Sequence, residues 1–393
     1  MEYPISRRLT DVHRSATIAL SDQARTLQEA GRSVINLAGG DPFFSTPEHV
    51  AKAATEAISE GFTHYTSSRG IPELRAAVAA KIHERQGVDR DPGDEIIITP
   101  SAKHALFISL MAILDVGDEV LIPTPSWVSY GDMARLAGAR PIPVKLSARD
   151  DFRISRELLE AAVSPRSRVL VINTPNNPTG RVLSFDELRE IVDFAEAHNL
   201  IIVSDEIYED IVFDEFQHVS ITELAGCESR TLVIGGFSKT YAMTGWRLGY
   251  VSGPREIIEQ ALKVQEHTVG VAGSFIQRGG LAALKGDQAP VRAMIAIYAK
   301  HRAIVDEGFR DLPGIEFRKP NGAFYAFPGI PAPRFSSSTQ FVQWLLEECG
   351  VVVTPGSAFG PGGDGHFRIS MAARTEIIEE GIRRICDAVA RLS

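Results

Sequence analysis

The chain has 393 residues, 44% of them hydrophobic and 23% charged, enough apolar material for a large core and too little polar bias for long disorder. Its formal charge of -9 excludes the dominant basic face that nucleic acid or an anionic membrane surface requires, so any anion site must concentrate its cations locally. No apolar run reaches the ~18 residues of a membrane span, Met1 to Asp22 lacks a signal-like apolar core, and Cys227, Cys349 and Cys386 form no C-x-x-C pair. These features point to a cytoplasmic protein with no disulfide framework and no metal centre.

Residues 1 to 36 read as a polar arm and a helix, with capping residues around Ser15 and Thr17 ahead of Ile18, Leu20 and Leu27, then the apolar segment Val34 to Leu37. In Ala38-Gly39-Gly40-Asp41-Pro42 two glycines make either a simple turn or a place where backbone approaches a ligand closely. Thr46-Pro47-Glu48 opens a helix with threonine as N-cap, and Tyr65 lies in the loop before the next helix start at Gly70-Ile71-Pro72.

From residue 95 short β-branched runs alternate with helix-period stretches: Glu95 to Ile98, Val120 to Ile122, Val169 to Ile172, Leu200 to Val203, Leu232 to Ile234 and Leu248 to Val251. Near-continuous apolar strands separated by helices predict an α/β protein whose largely parallel sheet is covered on both faces. The spacer after Ser184 is typical, with Ser184 and Glu187 as a capping box and Leu188, Ile191, Val192 and Ala195 as the buried stripe. Polar residues follow the strands: Ser101 and Lys103, Trp127, Asn176 and Asn177, Asp205 and Tyr208, then Ser238 and Lys239. Open parallel sheets bind ligands outside the carboxyl ends of their strands, so these clusters converge on one crevice.

After about residue 290 the rhythm stops. A long helix over Val291 to Phe309 precedes strand-like Gly314 to Phe317, Ala323 to Phe327, Val351 to Val353 and His366 to Ile369, among helices at Gln340 to Glu347 and Glu376 to Leu392. This predicts an arm and part of a small domain over 1–44, a large domain over 45–290 and a smaller α+β domain over 291–393.

The stretch around Gly235-Gly236-Phe237-Ser238-Lys239 carries the chemistry. Lys239 is expected on a loop between two buried strands, where an ammonium must be paired, neutralised or covalently modified, and desolvation makes the amine a nucleophile. With the Ser238 hydroxyl beside it and the Arg247 guanidinium further along, it suits a phosphorylated carbonyl cofactor, for which pyridoxal 5'-phosphate (PLP) is the obvious candidate.

Ser238-Lys239-x5-Thr244-Gly245-x-Arg247-x-Gly249, with Asn177-Pro178-Thr179-Gly180 and Asp205-x-x-Tyr208 upstream, resembles the class I/II aminotransferases, PLP-dependent transferases of fold type I, and is most similar to the bacterial aspartate aminotransferase branch. The similarity runs from about Ile35 to Ala373. It implies a mostly parallel seven-stranded sheet between helices, and ping-pong transfer of the amino group of an L-amino acid, aspartate or glutamate, to a 2-oxo acid through PLP and its pyridoxamine form. By the same resemblance Lys239 bonds the cofactor aldehyde and then shuttles the Cα proton. Asp205 pairs with the pyridine nitrogen, Tyr208 and Asn177 bond the phenolic oxygen, and Trp127 stacks on the ring. Ser238, Arg247, the helix start at Ser101, Ala102 and Lys103, and Tyr65 from a second subunit form the phosphate cup of a homodimer with shared sites. Arg368 grips the substrate α-carboxylate assisted by the Gly40 amide, and Lys103 is associated with a side-chain carboxylate; Asn177 and Trp127 also face substrate.

The chain departs from the family pattern at Gly236, where many relatives carry a hydroxyl, at Ser101, where glycine is common, and at Tyr130, where several have histidine behind the aspartate. No residue matches the partner-subunit arginine that some aspartate aminotransferases use. Alternatives are an aromatic or other amino acid as donor, a prephenate-type acceptor, or a PLP β-lyase. A PLP-sensing regulator is disfavoured, because fewer than 40 residues precede the core and the charge is acidic.

Overall fold

The apolar runs become strands because helices cover both faces of the sheet they build, in a computed structural model describing residues 3, 5–6, 9–13, 16–331 and 333–392. In chain order the elements are α1 (Ala16–Glu29), β1 (Ile35–Asn36), α2 (Glu48–Ser59), α3 (Pro72–Gln86), β2 (Ile96–Thr99), α4 (Ala102–Ile113), β3 (Glu119–Thr124), α5 (Ser129–Leu136), β4 (Arg140–Lys145), α6 (Arg156–Glu160), β5 (Ser167–Asn173), α7 (Phe185–Ala197), β6 (Ile201–Asp205), β7 (Thr231–Gly236) and β8 (Gly249–Ser252). Then come α8 (Arg255–Glu266), α9 (Ser274–Lys285), α10 (Ala289–Phe309), β9 (Tyr325–Ala326), α11 (Ser338–Cys349), β10 (Val351–Val352), β11 (Thr354–Pro355), β12 (Phe367–Ser370) and α12 (Thr375–Ala390).

The main sheet has seven strands in the order β2-β8-β7-β6-β5-β3-β4. Pairings from β4 through β7 are parallel, whereas β8 runs antiparallel to both β2 and β7. The connection between β7 and β8 holds no helix to carry the chain across the sheet for a parallel return, so β8 comes back antiparallel. Successive residues of one strand serve opposite faces. Val169 and Val171 pack in one core with Leu106 of α4 and Ile258 of α8, while Leu170 and Ile172 join Leu188, Ile191 and Val192 of α7 in another. Each such side chain contributes about 1.5–3 kcal/mol by leaving water. Ser184 and Glu187 form the expected capping box at the start of α7.

A further core is built largely from the end of the chain. Strands β11-β12-β9 form a three-stranded antiparallel sheet, and β1 pairs in parallel with β10, so residues 35–36 join the C-terminal elements across the whole sequence. Helices α10 and α12 cover them through Tyr298, Phe309, Ile382 and Ile385.

Several expectations need correction. The seventh strand, β4, is absent from the apolar runs because Arg140-Pro141-Ile142-Pro143-Val144-Lys145 is a half-exposed edge strand with two prolines, tolerated only where one side of the ladder is free. Gly314 to Phe317 is irregular, and the aromatic run near 325 keeps only two strand residues. Thr46 does not cap α2: Pro47 takes the N-cap position without a side-chain bond, and the Thr46 hydroxyl donates to the Ala242 carbonyl at 2.9 Å. Ser15 lies outside the described residues.

Candidate active site

The carboxyl ends of β2, β3, β5, β6 and β7 open into a cavity of about 420 Å³. It gathers Ser101, Ala102 and Lys103 after β2, Trp127 after β3, Asn177 after β5, Asp205 and Tyr208 at the end of β6, Ser238, Lys239 and Arg247 after β7, and Arg368 on β12 with Gly40 from the segment following β1. Of the residues expected at the site, Tyr65 alone lies elsewhere: it is 95% exposed.

Lys239 sits where β7 gives way to the loop. Its neighbourhood is tight because Gly235 and Gly236 leave no room for side chains: a Cβ on Gly235 would meet the Tyr250 ring at 2.2 Å, and one on Gly236 would meet Ile207 at 2.8 Å. The hydroxyl that many relatives carry at Gly236 therefore has no space unless Ile207 yields. The Lys239 amine donates to the Gly40 carbonyl at 2.7 Å and lies 5.7 Å from the centre of the Phe324 ring. Burial pulls its pKa down to about 8; Asp41 opposes the shift, Arg368 and Arg247 add to it, and Asp205 weakly opposes it. The amine thus has a usable neutral fraction near neutral pH, as a nucleophile and proton carrier requires.

Asp205 closes the cavity floor, and burial pushes its carboxyl up to about 6 despite two stabilising hydrogen bonds. Those bonds come from the Tyr130 hydroxyl, which donates to Oδ2 at 2.6 Å, and from the Ile207 amide, which donates to Oδ1 at 3.3 Å. Tyr130, noted above as a departure from the family pattern, thus holds the Asp205 carboxylate in place. Asn173 donates to the Asp205 carbonyl at 2.8 Å and accepts from the Asn177 amide at 2.8 Å, locking β5 to β6 beneath the site.

Arg368 is 2% exposed, and no carboxylate among the described residues pairs with it. Nη1 donates to Asn177 Oδ1 at 2.8 Å, Nη2 donates to the Ala38 carbonyl at 2.6 Å, and Nε is buried without an acceptor. The guanidinium lies 4.3 Å from the centre of the Tyr325 ring and 5.0 Å from that of Phe359. A buried cation with unspent donors costs free energy unless an anion joins it, so the guanidinium can accept a carboxylate. The Tyr208 hydroxyl reaches that of Tyr325 at 3.1 Å, and burial pushes the Tyr208 phenol well up.

At the opposite end α4 begins. His104 and Ala105 amides donate to the Ser101 carbonyl, whereas those of Ala102 and Lys103, as first-turn groups, have no acceptor within the helix. Ser101 has φ 98°, a region that costs a side-chain-bearing residue about 1–3 kcal/mol. That is the physical reason glycine is the easier residue here. Gly249 allows the close fit, since a Cβ there would lie 2.3 Å from the Ala102 nitrogen. Arg247 and Lys103 stand by this helix start, and burial, then Arg247, lower the pKa of the Lys103 amine, which lies 5.0 Å from the Trp127 ring centre. First-turn amides beside two cations can hold a dianion.

Residues given no role at the site by the sequence also line the cavity: Asp22 of α1, Asp41, Leu106, Asn173, Ile207, Thr244 and Tyr325. Asp41 was within reach of inference, standing beside Gly40; Tyr325 was hidden in an aromatic run that reads as core.

Comparison with known proteins agrees with this geometry. The model for aminotransferase class I and II matches residues 32–389. The chain is 42% identical to an aspartate aminotransferase of Musicola paradisiaca over 98% of this chain and 96% of that protein. It is 41% identical to aromatic-amino-acid aminotransferase 2 of Thermococcus litoralis over 97% of each. The solved aspartate aminotransferase of Thermus thermophilus with maleate superposes with a TM-score of 0.94 at 36% identity, covering 100% of both chains. The fold is fold type I, and the chain belongs to the class I and II aminotransferases, enzymes that transfer amino groups.

Proposed function

We propose that the protein transfers the amino group of L-aspartate or L-glutamate to a 2-oxo acid with pyridoxal 5'-phosphate as cofactor. The observation that carries the proposal is the convergence of a lowered Lys239 amine, a buried Asp205 and an unpartnered Arg368 Nε in one cavity. The residues fit this group: its volume suits a cavity of about 420 Å³, and the unspent amides and cations by α4 suit its phosphate. When bound, PLP supplies an aldehyde that condenses with amines and a ring that takes up the electron pair left on Cα.

The chain's own residues supply the rest. Lys239 would hold the cofactor, then, freed as an amine, remove the Cα proton and return it at the adjoining carbon. Asp205, held by Tyr130, would keep a positive charge on the ring nitrogen, and Trp127 would wall one face. Tyr208 and Asn177 would bond the ring hydroxyl, and Ser238, Arg247, Ser101, Ala102 and Lys103 the phosphate. Arg368 would fix the substrate α-carboxylate with the Gly40 amide, and Lys103 would attract the side-chain carboxylate.

The same proposal divides the chain into residues 1–44 with 291–393 and a large unit over 45–290. The β1–β10 pairing and a core that joins Ile35 and Leu37 to α10 and α12 support it. It also makes the protein a cytoplasmic homodimer. Support for shared sites is Tyr65, a large aromatic side chain left 95% exposed. Among the described residues no helix is long and apolar enough to cross a membrane.

Purified protein mixed with PLP should gain long-wavelength absorbance that aspartate bleaches and oxaloacetate formation accompanies. Lys239→Ala should fold yet lose turnover. Release of ammonia and a 2-oxo acid without transfer to an acceptor would favour a β-lyase and overturn the proposal.

A further inference from the structure

Segment 40–46 is stitched to the lysine loop at three points. The Lys239 amine donates to the Gly40 carbonyl at 2.7 Å, the Thr244 hydroxyl donates to Asp41 Oδ1 at 2.5 Å, and Thr46 Oγ1 both accepts from Trp246 Nε1 at 3.0 Å and donates to the Ala242 carbonyl at 2.9 Å. The segment's other side is also held: the Phe43 amide donates to the Ala372 carbonyl at 2.9 Å, and a Cβ on Gly40 would lie 2.5 Å from the Tyr325 hydroxyl. The Gly40 carbonyl therefore has little freedom, and the bond between Thr244 and Asp41 aims it at the amine.

Asp41 is unusual in its surroundings. It lines the cavity from an exposed position beside several cations, yet has no salt-bridge partner among the described residues. The groups facing Lys239 are Asp41 from the segment after β1, Asp205 and Tyr208 from β6 and its loop, Arg247 from its own loop, Lys103 from α4, and Tyr325 and Arg368 from β9 and β12. Of these, Asp41 is the strongest influence favouring the charged amine, ahead of Asp205. The Tyr298 phenol, also facing Asp41, is raised by burial and stays neutral.

We propose that Asp41, latched to Thr244, is a positioning residue for Lys239: it keeps the freed amine against the Gly40 carbonyl and steadies its ammonium form, between removing the Cα proton and delivering it. The proposal rests on the lysine role argued above. Neither Asp41 nor Thr244 needs to touch substrate for it.

The test measures the protonation of Lys239 directly. Cofactor-free full-length protein is labelled with a trace amine-acylating reagent from about pH 6 to 10, and the Lys239 peptide is quantified by mass spectrometry against a free amine standard. Asp41→Asn, which keeps a hydrogen-bond acceptor and loses the charge, should lower the proton affinity of Lys239 by about three- to tenfold, and Asp41→Glu should restore it. Thr244→Val, which removes the latch and keeps the charge, should move the midpoint the same way by less. In holoenzyme Asp41→Asn should lower kcat while KM for aspartate changes less than about twofold. A midpoint unmoved in both Asp41→Asn and Thr244→Val, or a loss confined to KM, overturns the proposal; if Asp41→Asn does not fold, Thr244→Val and Asp41→Glu decide it. Wild-type protein that gains no long-wavelength absorbance with PLP refutes the cofactor role and with it this proposal, and that failure is distinguishable because the labelling contains no cofactor.

Discussion

Replacing Arg368 by lysine keeps the charge and removes the fork. In the structure Nη1 and Nη2 are already tethered at 2.8 Å to Asn177 and 2.6 Å to Ala38, and the guanidinium plane lies 4.3 Å from the Tyr325 ring centre. A lysine loses one of the two charge-assisted bonds to a carboxylate, about 1.5–3 kcal/mol, and most of the stacking on the ring, about 0.5–1 kcal/mol. The sum, about 2–4 kcal/mol, corresponds to a fall of about 30- to 1,000-fold in kcat/KM for aspartate. The assay is single-turnover loss of the long-wavelength absorbance at graded aspartate, run beside a primary amine that has no carboxylate. Only the amino acid can use the fork, so the variant should react with the plain amine within about threefold of wild type. Equal losses for both substrates, or a loss below about threefold for aspartate, would refute the assignment of Arg368 to the α-carboxylate.

Asp205 gives a pH test that needs no cofactor. Burial raises its carboxyl from the ordinary 3.8 to about 6 in the folded protein, so between those values the native state holds a proton that the unfolded chain has lost, and stability falls as pH rises. Asp205→Asn should therefore make cofactor-free protein more stable than wild type in urea at about pH 7.5, by roughly 2–3 kcal/mol, with the difference shrinking below about pH 4; a difference that grows toward acid would contradict the burial argument. Tyr65→Phe should weaken PLP retention by about tenfold, and mixing Tyr65→Phe with Lys239→Ala protein should regenerate tight sites in hybrid dimers, whereas no regain after subunit exchange would place Tyr65 outside the site. Lys103→Ser should cut kcat/KM for aspartate by about tenfold or more while leucine changes little; a greater loss for leucine would remove Lys103 from side-chain recognition.

Much of the large unit was legible because each buried strand announces itself as an apolar run and each ligand-facing residue follows one directly. Ser101, Asn177, Asp205 and Lys239 could be named from that rule alone, and they line one cavity. Strand β4 was not legible, since its prolines and exposed edge remove the pattern that marks burial. The strand expected at Gly314 to Phe317 failed for the opposite reason: alternating residues resemble a strand, but a lone bond from the Gly329 amide to the Glu316 carbonyl builds no ladder. Tyr325 looked like core and is core, yet its hydroxyl and ring face also serve Tyr208 and Arg368.

The stretch Gly235 to Arg247 and its companions pointed, through their resemblance to the class I and II aminotransferases, to the reaction family and to Lys239 as its amine, because the nucleophile, hydroxyl and guanidinium of that motif lie close together along one loop. What only the tertiary structure decided is how the amine is held: the Gly40 carbonyl, Asp41 and Arg368 reach Lys239 from 199 residues before it and from the far end of the chain. Distances between such residues depend on how β1 joins β10 and how β12 lies over the cavity, and sequence spacing carries no information about either until the chain has folded.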